Sequence, residues 1–408
     1  MRQPIHALAR VRALFGPDAA AVRQSLVALA LNSSTSLIAG AFLSSITSTL
    51  EKYPGLLVLV PAAIGLRGNI FGAFGNRMST AIHTGTFRWS LRREAVLGQS
   101  VLASVVLTMG ISLVLAVVAW TIAGLEGATI GVLPMATISI AGGLLGSVVV
   151  LVAALGLTGG AVRYGWDLDN VTAPLVSTLG DVLTLPALYL ATFLVGMAVV
   201  SNGLGVALVL LSLVLLAAGW RSPGPLLRQI VRESVPVLVV AGCVSAGAGL
   251  ALSQTANRFN ALPALLVLVP AHLSSAGALG GILSGRLSSK LFLGLVPAAP
   301  WPNREARRDL ALVLALALPV YVFNGAGAHL VGLALGRASP GLGWMVAVSL
   351  VGGALAMLFV VVVAYYGTIA AYRTGVDPDT YGIPVVSSSV DLVGALALVL
   401  AIVTLGVA

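Results

Sequence analysis

Two aspartates stand where a helix ordinarily tolerates no charge. Asp181 lies in Val176-Ser177-Thr178-Leu179-Gly180-Asp181-Val182-Leu183, and Asp391 in Val386-Ser387-Ser388-Ser389-Val390-Asp391-Leu392-Val393. Each follows an Asp-x-Asp pair, Asp167 and Asp169 or Asp377 and Asp379, by about twelve residues, which on a helix is ~18 Å, or the depth of a bilayer midplane. A carboxylate at that depth costs at least about 2.5–3.5 kcal/mol and marks an ion or proton pathway by default. Two facing carboxylates carry the complement of one divalent cation. Hard cations take oxygen ligands, and Mg²⁺ keeps several of its waters. Ser177, Thr178, Ser387 and Ser388 lie a turn or less before the acids. Their hydroxyls suit the waters of a hydrated ion, and equally suit close packing between helices. The Asp-x-Asp pairs sit at the mouth of such a path and concentrate cations there. They also suit helix capping, with Pro174 and Pro384 in the first turn. The competing reading, an isolated buried acid held by a cation, needs such a cation twice, and no Lys or Arg is near either acid in sequence.

The elements that position these acids follow from composition. Of 408 residues 58% are hydrophobic and 9% charged, with 47 glycines, one cysteine and a net charge of +9. A soluble domain is about 25% charged, so a soluble enzyme, a disordered chain and a disulfide scaffold are all excluded. Cys243, in an apolar run, forms no internal disulfide. Residues 1–24 carry Arg2, Arg10, Arg12 and Arg23 without a signal-peptide pattern. They read as a cytoplasmic segment, with a surface amphipathic helix as the alternative. The positive excess reports orientation rather than nucleic-acid binding.

With ~20 apolar residues per span, spans fall near 25–50, 55–84, 96–123, 131–162, 170–199, 204–220, 235–256, 263–293, 309–335, 343–371 and 382–406. The runs 55–84 and 263–293 are interrupted, the first by Arg67-Gly68-Asn69 and Arg77. With a cytoplasmic N-terminus, 15 of the 22 Lys and Arg residues fall inside, three outside (Lys52, Arg258, Arg337) and four in the interrupted runs (Arg67, Arg77, Arg286, Lys290). This obeys the positive-inside rule and places the C-terminus outside the cytoplasm.

The chain also repeats itself. Leu56-Leu57-Val58-Leu59-Val60-Pro61 recurs as Leu265-Leu266-Val267-Leu268-Val269-Pro270, an offset of 209 that also relates Gly68 to Gly277, Arg77 to Arg286 and Gly85 to Gly294. At an offset of 210, Asp167, Asp169, Pro174, Ser177 and Asp181 meet Asp377, Asp379, Pro384, Ser387 and Asp391. Two five-span copies, 25–200 and 222–408, flank a linking span at 201–221. The extra span makes the copies parallel, related by a pseudo-twofold axis along the membrane normal. The expected fold is therefore an all-α polytopic membrane protein of eleven spans arranged 5+1+5 around a central pore. Gly142-x-x-x-Gly146 and Gly156-x-x-x-Gly160 read as helix-packing motifs.

The stretch Val60-Pro61-Ala62-Ala63-Ile64-Gly65-Leu66-Arg67-Gly68-Asn69, then Arg77-Met78-Ser79-Thr80, resembles the second-span motif of MgtE-type magnesium transporters. It resembles still more that of their fused-repeat relatives, solute carrier family 41. Asp167 to Asp181, with Pro174, Ser177 and Thr178, resembles the family's fifth-span motif. The resemblance implies Mg²⁺ as the transported ion, with no organic cofactor. It makes Asp181 and Asp391 the central ligands and Asn69 a pore-lining residue. One chain then builds one pore across the lipid bilayer of a cell membrane, a monomer suffices, and a homodimer stays open. No cytosolic sensor of the MgtE kind is expected, so gating does not carry over. The second copy departs from the first, with Ala278 for Asn69 and Ser274-Ser275 for Gly65-Leu66. His272, opposite Ala63, reads as a satisfied buried histidine rather than a pore group. A channel, an Na⁺-coupled exchanger and a carrier of Mn²⁺, Co²⁺ or Ca²⁺ remain alternatives. An enzyme is not expected, since the conspicuous acids lie at mid-membrane, away from any headgroup.

Overall fold

The computed structural model describes residues 19–127, 130–164, 168–195, 198–374 and 383–407, without the side chains of 19–21, 168–177, 198–201, 292, 374, 383 and 385. Among the described residues every regular element is a helix. In chain order these are α1 (Ala19–Ser45), α2 (Thr47–Lys52), α3 (Gly55–His83), α4 (Val96–Leu125), α5 (Val132–Tyr164), α6 (Leu168–Val195), α7 (Ala198–Trp220), α8 (Pro225–Ser253), α9 (Ala256–Ala261), α10 (Ala264–Phe292), α11 (Arg304–Ala334), α12 (Leu342–Thr374) and α13 (Ile383–Thr404). All but the six-residue α2 and α9 are long and apolar enough to cross a membrane, which makes eleven spans. A chain this apolar has to satisfy its backbone within each segment, because lipid offers no hydrogen-bond partner.

Two expectations are corrected here. The runs 55–84 and 263–293 are not broken: α3 and α10 continue through Arg67-Gly68-Asn69 and past Pro61 and Pro270. A proline removes one i→i−4 bond, and neighbouring helices hold the rest in place. Arg67 is tolerated because it is 2% exposed and folds sideways, donating from Nη2 to the Gly142 carbonyl at 2.9 Å. The glycine motifs of α5 also divide. A Cβ on Gly142 would meet the Leu188 backbone, and one on Gly146 the Arg67 guanidinium, whereas one on Gly156 would meet nothing. The first motif packs and makes room for a cation, and Gly156 does neither.

Corresponding helices make corresponding contacts. α3 packs on α4, α5 and α6 as α10 packs on α11, α12 and α13. The first helix of each copy, however, docks on the other copy. α1 lies against α10 and α11, and α8 against α3 and α4, while α1 also meets α6 and α8 meets α13. Each crossing closes on a glycine. A Cβ on Gly40 would sit 2.1 Å from the Val267 carbonyl oxygen, and one on Gly249 2.4 Å from that of Val58. Both pairs are related by the offset of 209. The same offset links Gly85 and Gly294, which turn the chain after α3 and α10 at φ +68° and +73°, where a side chain is disfavoured.

The copies differ where α10 meets α11. Asp309, 1% exposed, binds Arg286 at 2.8 Å and Lys290 at 2.7 Å. The matching positions in the first copy are Ser100, Arg77 and Ala81, so Arg77 has no equivalent acid on α4.

Candidate functional site

A cavity of about 350 Å³ lies between the two copies. One wall is α3, from Val60 to Asn76, and the other is α10, from Val269 to Ala278. Asp181 of α6 and Asp391 of α13 both line it, together with Asn32 of α1 and Ser387 of α13. The small residues Gly65, Gly68, Gly72 and Gly277 keep the space open. Along α3 the lining covers roughly 24 Å of helix rise. It stops short of the first turns of α3 and α10, where the Gly249–Val58 and Gly40–Val267 crossings pack shut. The cavity therefore has a closed end, and it reaches toward the end where α3 and α10 finish and α13 begins.

The carboxylates are held by hydroxyls. Ser36 of α1 donates to Asp181 Oδ2 at 3.0 Å, and Ser245 of α8 donates to Asp391 Oδ2 at 3.2 Å. Ser36 and Ser245 are themselves 209 residues apart. Asp181 Oδ2 also lies 3.0 Å from Ser274 Oγ of α10. At the matching place in the first copy is Gly65, whose Cβ, if present, would lie 3.4 Å from Asp391 Oδ2. Each acid thus has one oxygen fixed by serine, with no hydrogen bond from a described residue to the other. Asp181 is 5% exposed and lies within Coulombic reach of Asp391. No Lys or Arg pairs with either acid among the described residues.

Of the residues singled out from sequence, Asp181, Asp391, Asn69 and Ser387 border the cavity. Ser388 turns away and donates to the Pro384 carbonyl of its own helix. Its side chain shares a small space behind the cavity with Asn69 and Ser245. Thr178 is half-buried on α6 and is not part of the lining. Asp169 falls in the first turn of α6 with its side chain outside the description, as is that of Ser177, and Asp167, Asp377 and Asp379 lie outside the described residues. His272 is buried with its ring packed on Tyr321, and its polar neighbour is the Gly394 backbone, to which neither ring nitrogen makes a well-formed hydrogen bond. Polar groups that sequence reasoning passed over as site residues are Asn32, Ser36, Ser245 and Ser274. The Ser36–Ser245 pair was detectable by extending the offset of 209 into the first span.

The MgtE family, described as a divalent cation transporter, matches this chain twice, at residues 60–191 and 269–401. Those limits enclose both walls of the cavity and both aspartates. Solute carrier family 41 member 2 of Homo sapiens is 25% identical over 378 residues, covering 86% of this chain and 64% of its own length. Solute carrier family 41 member 3 of Rattus norvegicus is 23% identical over 380 residues, covering 87% and 82%. The chain thus spans less than two thirds of the human relative. No solved structure matches it at a significant level. The family is one of transporters, not of enzymes. With both copies matched across most of their spans, the chain belongs to the MgtE family of divalent cation transporters.

Proposed function

We propose that this protein carries Mg²⁺ across a membrane through the cavity between its two copies, with Asp181 and Asp391 as the central pair. The observation that carries the reading is that both acids line one cavity without a basic partner among the described residues. Two carboxylates at bilayer depth repel each other and lack solvent, so the stable occupant is a dication. A cavity of about 350 Å³ has room for an ion that keeps its waters, which is how Mg²⁺ prefers to bind. Ser36, Ser245 and Ser274 orient one oxygen of each carboxylate and leave the other for those waters. Soft metals are disfavoured, since no thiolate or imidazole borders the site.

The two copies are read as parallel halves of a 5+1+5 arrangement. Positive-inside counting places the N-terminus and the open end of the cavity in the cytoplasm. The mouth acids Asp167, Asp169, Asp377 and Asp379 then gather cations at that end, and the glycine crossings close the other. One chain builds one pathway, so a monomer suffices.

The test is Mg²⁺ entry into liposomes holding the purified protein, without Na⁺. Influx that follows the membrane potential, abolished in Asp181→Asn and Asp391→Asn, is the expected result. Influx only under an Na⁺ gradient replaces the channel-like mechanism with an exchanger. Normal flux in both single variants and in the double variant removes the site.

A further inference from the structure

Asn32 of α1 borders the same cavity and has no counterpart, because the matching position in α8 is Ala241. Its hydrogen bonds do not balance as oriented. Ser274 Oγ lies 3.1 Å from Asn32 Oδ1 and 3.0 Å from Asp181 Oδ2. A hydroxyl has one hydrogen to give, so Ser274 cannot donate to both. The other end of the amide, Nδ2, is buried without a partner. A buried unmade donor is costly.

Reversing the amide frees Ser274 of its double demand and leaves an orphaned acceptor in place of the orphaned donor. The two ends of an asparagine amide are alike in shape, and the hydrogen-bond network decides between them. With the ends exchanged, Asn32 Nδ2 donates to Ser274 Oγ, and Ser274 donates its single hydrogen to the carboxylate, the stronger acceptor. The carbonyl oxygen of Asn32 then takes the place of the orphaned nitrogen. No described residue donates to it, and the residue that carries it faces the cavity.

Resting on the reading of Asp181 and Asp391 as the divalent site, we infer that Asn32 is a third oxygen group of that site, accepting from the water shell of a bound divalent cation. The waters of a hard dication are strong hydrogen donors, and a fixed amide oxygen suits them. Because Ala241 offers nothing in return, the ion is held off the pseudo-twofold axis, toward α1 and Asp181.

The test is Mg²⁺ binding by titration calorimetry on the full chain in detergent. The variants are Asn32→Ala, which copies the other half, and Asn32→Asp, which adds a charge. Loss of one charge-assisted hydrogen bond corresponds to about tenfold weaker binding in Asn32→Ala, and Asn32→Asp is expected to bind more tightly than the parent. Opposite effects at one position cannot come from loss of fold. Unchanged affinity in Asn32→Ala, or equal loss in both variants, overturns the inference, while loss of binding in Asp181→Asn keeps the underlying site intact. Absence of saturable Mg²⁺ binding by the unmodified chain overturns the site and this inference together.

Discussion

Two carboxylates with different numbers of hydroxyl donors respond differently to losing one. Asp181 keeps Ser274 when Ser36 is removed, whereas Asp391 has Ser245 and faces Gly65. Ser245→Ala is therefore expected to weaken Mg²⁺ binding more than Ser36→Ala, by about tenfold or more against little change, as read by calorimetry. A fixed hydroxyl donor to a buried carboxylate contributes about 1.5–3 kcal/mol, so the comparison is measurable. Arg67 makes a separate case. It is buried with one hydrogen bond, to Gly142, and its Nε and Nη1 are unpartnered. Replacing a buried, unpaired charge by an apolar side chain of similar length removes a desolvation cost. Arg67→Met is expected to hold or raise the melting temperature in detergent, and a fall of several degrees would mean that the guanidinium holds α5 in place. At this scale the sequence was only partly legible. Asn69 was reached only through the family resemblance, whereas an aspartate in an apolar helix announces itself. A serine such as Ser36 does not, because Ser34 and Ser44 on the same helix merely donate to backbone carbonyls of their own turn. What separates Ser36 is its partner 145 residues away, which no local pattern contains.

The helices were legible in number because lipid forces each apolar run into one. Their continuity was not, since Arg67 and Gly68 look like a break until α5 supplies a gap for the side chain. Nor was the exchange of first helices, because apolar spans carry no signal of which neighbour they choose. The exchange can be tested at its glycines. Gly40→Ala forces a Cβ onto the Val267 backbone, which cannot move as a side-chain end could. It is expected to lower stability by more than about 2 kcal/mol, as overpacking of a tight contact does. Gly156→Ala, with nothing within 4 Å, is the control, expected to be neutral or slightly stabilising from helix propensity. At the α10–α11 junction, Asp309→Asn removes the acid that Arg286 and Lys290 share, while Lys290 keeps Glu305 at 3.7 Å. Breaking a fully buried pair costs about 3–5 kcal/mol. The two bases keep 23% and 22% of their side-chain exposure, so the lower end of that range is expected in a thermal melt.

For the molecule as a whole, the distribution of Lys and Arg fixes the expected orientation. In a Cys243→Ser background, Arg88→Cys is expected to react with an impermeant maleimide from the cytoplasmic face and Arg337→Cys from the other. The reverse labelling would turn the cavity's open end outward and reverse its proposed mouth. The repeat was legible in the sequence, since residues such as Val58 and Val267 recur at one spacing. The way the halves lock together was not. That lock has a consequence for how the protein is made. α1 is the first of the described helices to leave the ribosome, yet its largest partner is α10, synthesised more than half a chain later. Until then α1 waits in the bilayer with its Gly40 face against lipid, and α3 waits for α8 in the same way. Neither half is a finished folding unit, so a polypeptide released after α7 has every helix of its first copy and still lacks the helix that seats on Val58. The contacts of α1 with α10 and α11 can form only once those helices have been made, so the first of the described helices completes its packing late.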